Sequence, residues 1–214
     1  MKRVVLIHTV ASLPTTFDQL AAELLPGVAV EHVVDEALLE ETMRSGGLTD
    51  DVRARFAEDA RRALATAPDA VVLTCSSVGP AADGLDVHRI DQAMAERAVE
   101  LGARIGVAAT VPTTLGPTSE LIERAARAAG RPAEVRTRLV EGAFDALRGG
   151  RPEDHDRLVM AALRDLAGWA EVIVLAQASM ARALAGASQV AGVPVLTSPR
   201  LGVERLRREL KLTG

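Results

Sequence analysis

Short apolar runs alternate with longer amphipathic stretches along the whole chain, and the pattern returns 101 to 106 residues later. Candidate strands fall at 4–8, 28–34, 70–74, 104–109, 133–140, 172–176 and 193–196. Between them, stretches such as 50–67 and 154–169 carry apolar residues at helical spacing. Strand–helix alternation of this kind predicts an α/β fold with parallel sheets and right-handed crossovers. The repeat narrows it further. Residues 3–10 read over 104–111, residues 33–37 over 139–143, and residues 71–77 over 173–179. Collinear matches at nearly constant offset point to a duplicated α/β unit. In the duplication Thr9 corresponds to Thr110 and Cys75 to Gln177.

Cys75 is the only cysteine of the 214 residues. It follows the apolar run ending at Thr74, so it lies at the carboxyl end of a buried parallel strand, where open α/β sheets place their ligands. The small residues after it and Pro80 predict a turn into a helix, whose amino end favours negative charge and lowers a thiol pKa. Residue type alone leaves two readings open, a reactive thiol and a buried structural one.

If the two halves pack about a pseudo-two-fold axis, their strand ends face each other across a cleft, a favoured place for a small-molecule site. One side would supply His8, Thr9, Ser12, Cys75, Ser76 and Ser77. The other would supply Thr110, Thr113, Thr114, Gln177, Ala178 and Ser179. Hydroxyls and helix amino ends dominate both sets, and a carboxylate is their natural ligand. Each Ser or Thr can equally cap its own helix.

Composition removes other classes. Net charge is −4, aromatic residues make up 2% and tyrosine is absent, so neither a basic footprint nor a stacking surface for nucleic acid exists. The only lysines are Lys2 and Lys211, neither placed for a buried Schiff base. No run is long enough to span a membrane, and the one after Met1-Lys2-Arg3 is too short for a signal peptide. A lone cysteine fits the reducing cytoplasm. No metal-ligand spacing, dinucleotide fingerprint or phosphate loop occurs, so no metal or cofactor is expected.

The motifs Thr74-Cys75-Ser76-Ser77, Ala109-Thr110-Val111-Pro112-Thr113, Leu139-Val140-Glu141-Gly142 and Leu175-Ala176-Gln177-Ala178-Ser179-Met180 resemble the aspartate/glutamate racemase superfamily over essentially the whole chain. The resemblance implies two similar α/β lobes, 1–90 with 198–214 and 91–197, with the site between them. It also implies that the last helix returns to the lobe bearing Cys75, and that like chains assemble. In the racemases two cysteines flank the substrate's α-carbon and exchange its proton without a cofactor. Cys75 matches the first of them, and Gln177 stands at the second.

The resemblance thus implies a cofactor-independent isomerase acting at carbon α to a carboxylate, with Cys75 as acid/base. His8 would tune the thiol, and Glu141 would serve as a relay beside the second position. Thr9, Ser76, Ser77, Thr110, Thr113, Gln177, Ala178 and Ser179 would bind substrate. Because glutamine exchanges no proton near neutral pH, a one-thiol lyase or decarboxylase is the alternative. A carboxylate-binding protein without turnover is the third. His32, His88 and His155 read as structural or exposed.

Overall fold

Val4 to Ile7 and Ala70 to Leu73 are buried at every residue, as strands covered on both faces must be. The computed structural model describes residues 1–212. In chain order its elements are β1 (Arg3–His8), α1 (Leu13–Leu24), β2 (Ala29–Val34), α2 (Glu36–Arg44), α3 (Asp50–Ala65) and β3 (Ala70–Leu73). A 3-10 turn (Gly79–Ala82), β4 (His88–Arg89), α4 (Gln92–Leu101), β5 (Arg104–Ala109), α5 (Pro112–Ala129) and β6 (Glu134–Leu139) follow. Then come α6 (Ala143–Arg148), α7 (Pro152–Ala167), β7 (Val172–Leu175), a second 3-10 turn (Ala178–Leu184), β8 (Gln189–Val190), β9 (Val193–Thr197) and α8 (Ser198–Glu209).

The chain divides into two compact units, Met1–Ala93 with the segment from Pro199 onward, and Met94–Ser198. Thr213 and Gly214, the end of the segment assigned above to the first lobe, lie outside the described residues. The first unit holds a parallel sheet in the order β2-β1-β3-β4. The second holds β6-β5-β7-β9-β8, parallel except for the β8–β9 pair. Its first four strands repeat the order of the first unit. The duplication legible in the sequence is therefore a duplication of sheet topology.

Local chemistry explains the element ends. Thr49 caps α3 by accepting a hydrogen bond from Val52 N–H at 3.3 Å, with Asp50 and Asp51 in the first turn against the helix dipole. Val52, Phe56, Ala60 and Ala63 form the buried stripe of α3, packed on Val5, Ile7, Val71 and Leu73. The helix stops at Ala65, short of the expected 67, because Pro68 follows and Ala67 takes a left-handed φ of 51°. In the second unit Val159, Ala162, Leu163 and Leu166 of α7 pack on Ala108, Ile173 and Leu175.

The helix expected after Cys75 is absent; a four-residue 3-10 turn stands there. The chain must return to the sheet as β4 by His88, and Gly84 turns it with a φ of 82°. β4 and β8 are two residues each, too short to show a sequence pattern. Close approach explains Gly202 of α8: a Cβ there would sit 2.4 Å from a side-chain carbon of Ile90.

Candidate active site

The strand ends of the first unit bring Thr9 and Cys75 together. In the parallel β1–β3 pair Ile7 lies opposite Leu73, and two residues beyond stand Thr9 and Cys75. From Ala70 to Gly79 every residue is buried except Cys75, which is half-buried. The Thr9 hydroxyl is buried near the sulfur and has no well-formed hydrogen-bond partner among the described residues, and the backbone N–H groups of Val78 and Ser77 also lie near the sulfur. Burial is the larger influence and pushes the Cys75 thiol pKa up, with the Asp91 carboxylate adding to the rise and the three donors opposing it. The resting group is a protonated thiol with donors in place for a thiolate. This corrects the expectation of a depressed pKa: the four-residue turn supplies two amides but no helix dipole.

His8 is fully buried, and both of its ring nitrogens are taken. Nδ1 lies 2.8 Å from Thr74 Oγ1, and Nε2 lies 2.8 Å from His32 Nδ1. Its pKa is lowered to about 4, chiefly by burial, then by the neighbouring charge of His32, with Asp18 opposing. His8 therefore reaches Cys75 through Thr74, the residue before it, and neither ring nitrogen is left for the thiol. Ser76 and Ser77 are buried beside Cys75. Ser12, at the amino end of α1, is exposed and makes no capping bond.

Composition and spacing did not reveal two charged groups behind the thiol. Arg89 of β4, opposite Leu73, and Asp91 have side chains only 6% and 2% exposed. The guanidinium forks onto the carboxylate at 3.0 Å and 2.8 Å, while Nη1 is buried without a partner among the described residues. Burial works against its charge, but Asp91 outweighs burial and raises the Arg89 pKa, with Asp83 and Cys75 adding smaller contributions. The guanidinium lies over Gly79, where a Cβ would fall 2.4 Å from Cζ. The available sign was the Arg-x-Asp spacing of Arg89 and Asp91. His32 was likewise read as structural. It lies opposite Leu6 on β2, hence on the same sheet face as His8, and its Nε2 meets Asp18 Oδ1 at 3.0 Å.

In the second unit Thr110 and Gln177 occupy the positions of Thr9 and Cys75, two residues beyond the Ala108–Leu175 pair. Gln177 Oε1 accepts from Thr110 N–H at 2.5 Å, Thr110 O–H at 3.0 Å and Val111 N–H at 3.1 Å. The amide oxygen thus fills the donor cluster at the end of β5. Thr113 lies half-buried in the first turn of α5, and Ala178 and Ser179 are half-buried in the 3-10 turn. Glu141 is exposed in the turn before α6. His155 is fully buried against Asp156 at 2.8 Å, and His88 pairs with Glu209 at 3.4 Å. Among the described residues no cluster of three or more His, Cys, Asp or Glu side chains could hold a metal ion, and no helix is long and apolar enough to cross a membrane.

No curated protein matches the chain at a significant level. Among solved structures it is similar to an allantoin racemase from Klebsiella pneumoniae, with a TM-score of 0.71 and 19% identity over 99% of this chain and 88% of that one. A glutamate racemase from Bacillus anthracis gives 0.71 and 16% identity over 98% and 82% of the two chains. The aspartate racemase of Picrophilus torridus gives 0.67 and 9% over 97% and 95%. At these identities the likeness is one of fold. The model of the Asp/Glu/hydantoin racemase family matches residues 85–206, more than half of the sequence. With that match, and with racemase structures sharing its duplicated α/β fold, the chain belongs to the Asp/Glu/hydantoin racemase family.

Proposed function

We propose that the protein is a cofactor-independent racemase-type isomerase that moves a proton at carbon α to a carboxylate, with Cys75 as the group that gives and takes it. The carrying observation is the setting of Cys75, half-buried at the end of β3 within an otherwise buried stretch, with the Thr9 hydroxyl and two backbone amides beside the sulfur. In one direction the S–H proton passes to the carbanionic carbon and sulfur keeps the electron pair. In the other the thiolate removes that proton and the thiol is restored. The three donors favour the thiolate half of each cycle. Ser76 and Ser77 are assigned to the substrate carboxylate, and a lone thiol without a disulfide partner suits the cytoplasm.

One observation favours a second reading. Gln177 Oε1 is held by three donors, and an amide exchanges no proton near neutral pH. With one exchangeable group, proton delivery is one-sided, as a lyase that protonates a single face requires.

Incubation in heavy water with aspartate or glutamate, the carboxylates named in the racemases above, distinguishes the readings by proton NMR. Loss of the α-proton signal in wild type and its persistence in Cys75→Ala are expected. Undiminished exchange in Cys75→Ala overturns the proposal. Release of a carboxyl group with product of one hand supports the lyase.

A further inference from the structure

Four hydrogen bonds form a line through the first unit. Thr74 Oγ1 lies 3.1 Å from Ile7 O and 2.8 Å from His8 Nδ1. His8 Nε2 lies 2.8 Å from His32 Nδ1, and His32 Nε2 lies 3.0 Å from Asp18 Oδ1. The inner end is buried beside Cys75, whereas the Asp18 side chain is 63% exposed. Both termini, a backbone carbonyl and a carboxylate, only accept.

Counting protons decides the state of the line. Four bonds need four protons. The Thr74 hydroxyl and two neutral imidazoles supply three, so every bond is made only when the histidine pair carries one more. With Ile7 O accepting from Thr74, the Thr74 oxygen accepts from His8 Nδ1–H. His8 Nε2 then accepts from His32 Nδ1–H, and His32 Nε2–H donates to Asp18. His8 is neutral in this arrangement and His32 is the cation, placed next to the carboxylate. The fully buried ring of His8, stacked 5.0 Å from His32 and tilted 5.4 Å from Phe17, is the poorer place for charge. The titratable groups acting on His8 are His32 of β2 and Asp18 of α1. From β1 and β3 it meets Ile7, Thr74 and the strand end that carries Cys75.

We infer that Asp18 and His32 are positioning residues of the Cys75 site: they keep one shared proton on the His8–His32 pair, which makes His8 an Nδ1–H donor to Thr74 and pins the strand end that carries the thiol. When that proton leaves, three protons remain for four bonds. The His32 Nδ1 proton passes to His8 Nε2, the His8 Nδ1 proton is released, and the Thr74 hydroxyl turns from Ile7 O to His8 Nδ1. The side-chain link from β3 to the Ile7 carbonyl is then lost, leaving only the Thr74 N–H bond to it. The role rests on the reading of Cys75 as the working thiol, but its measurement needs no turnover.

Long-range proton–nitrogen NMR of the full chain, labelled with nitrogen-15, reads each histidine tautomer across pH. Alkylation of Cys75, the only cysteine, reads the strand end. The expected wild-type state is His8 as the Nδ1–H tautomer with a doubly protonated His32. Raising the pH should convert His8 to the Nε2–H tautomer, with a step in alkylation rate at the same midpoint. Asp18→Asn removes the counter-charge at an exposed position, so the midpoint moves to lower pH, by roughly half a unit. Above the new midpoint alkylation runs roughly fivefold faster than in wild type at the same pH, as loss of one ordinary hydrogen bond allows. Thr74→Val keeps the tautomer change and abolishes the step. His8 in the Nε2–H form at every pH, or an alkylation profile that Asp18→Asn leaves unmoved, overturns the inference. If the tautomers behave as expected while Cys75→Ala retains full exchange, the relay stands and the functional proposal falls.

Discussion

The two strand ends are built on one plan and finished with opposite chemistry. β3 and β7 are four-residue buried strands, each followed by a 3-10 turn and flanked by a threonine at the end of the neighbouring strand. In the first unit Thr9 meets a thiol backed by a buried ion pair and a histidine relay. In the second Thr110 and two backbone amides close on a neutral amide oxygen. Duplication supplied two equivalent positions; one holds a thiol, to which the proposed function gives the proton transfer, and the other an amide that caps the strand end. A single residue pair, Cys75 and Gln177, accounts for that division.

Substitution at the two positions breaks the comparison most directly. Cys75→Ala should lower α-proton exchange by about 10²- to 10⁴-fold, the usual worth of a positioned acid/base group. Gln177→Ala should act instead on stability, by about 1–3 kcal/mol in urea unfolding, because three buried-end donors lose their acceptor. Equal kinetic loss in both variants would show that the ends share the chemistry.

The buried pair behind Cys75 comes next. Arg89→Met leaves Asp91 charged and unpaired, and should cost about 3–5 kcal/mol in the same assay. Arg89→Met with Asp91→Leu should recover much of that loss. A single variant as stable as wild type would remove the ion pair from the account.

Acid separates the ends in a third way. The folded-state pKa of His8 is about 4 against the ordinary imidazole value of 6.5, so the unfolded chain takes up its proton first. Stability contributed by neutral His8 is complete above pH 6.5 and is lost as pH falls toward 4, by about 3 kcal/mol. Replacing His8 with Asn should flatten this part of the stability curve, measured by urea midpoints at each pH. Gln177→Ala should leave its slope unchanged.

The smallest effect concerns the threonines. Thr9→Val removes one donor from the thiol, which should raise the Cys75 pKa further and slow alkylation at fixed pH. Wild-type Cys75 should already ionise above the ordinary thiol value of about 8.5. The same change at Thr110 should leave Cys75 alkylation where it was.

Much of this was legible in the chain. The strands of four or more residues lie within one or two residues of the expected segments; β1, β3, β5 and β7 are buried and nearly continuously apolar, whereas β2 and the edge strand β6 are partly exposed and carry charged residues. The two-residue strands β4 and β8 were not legible, since their pairing is decided by neighbours. The motif around Cys75 marked the strand end, and the repeat singled out Gln177 as its counterpart. The turn after Cys75 was misread: Pro80 suits a helix start, but it opens a four-residue 3-10 turn, after which the chain returns to the sheet as β4.

By itself the sequence determined the α/β class, the duplication and the identity of the residue at each strand end, because burial and backbone pairing impose periods that survive in one dimension. Tertiary structure alone decided the state of those residues. A thiol's protonation depends on what surrounds it, and Thr9, Asp91 and Arg89 come near Cys75 only through the fold. His8, His32 and Asp18 are far apart in sequence and join because β1, β2 and α1 pack together. Hydrogen bonding and charge act over a few ångströms of space, and only the fold sets those distances.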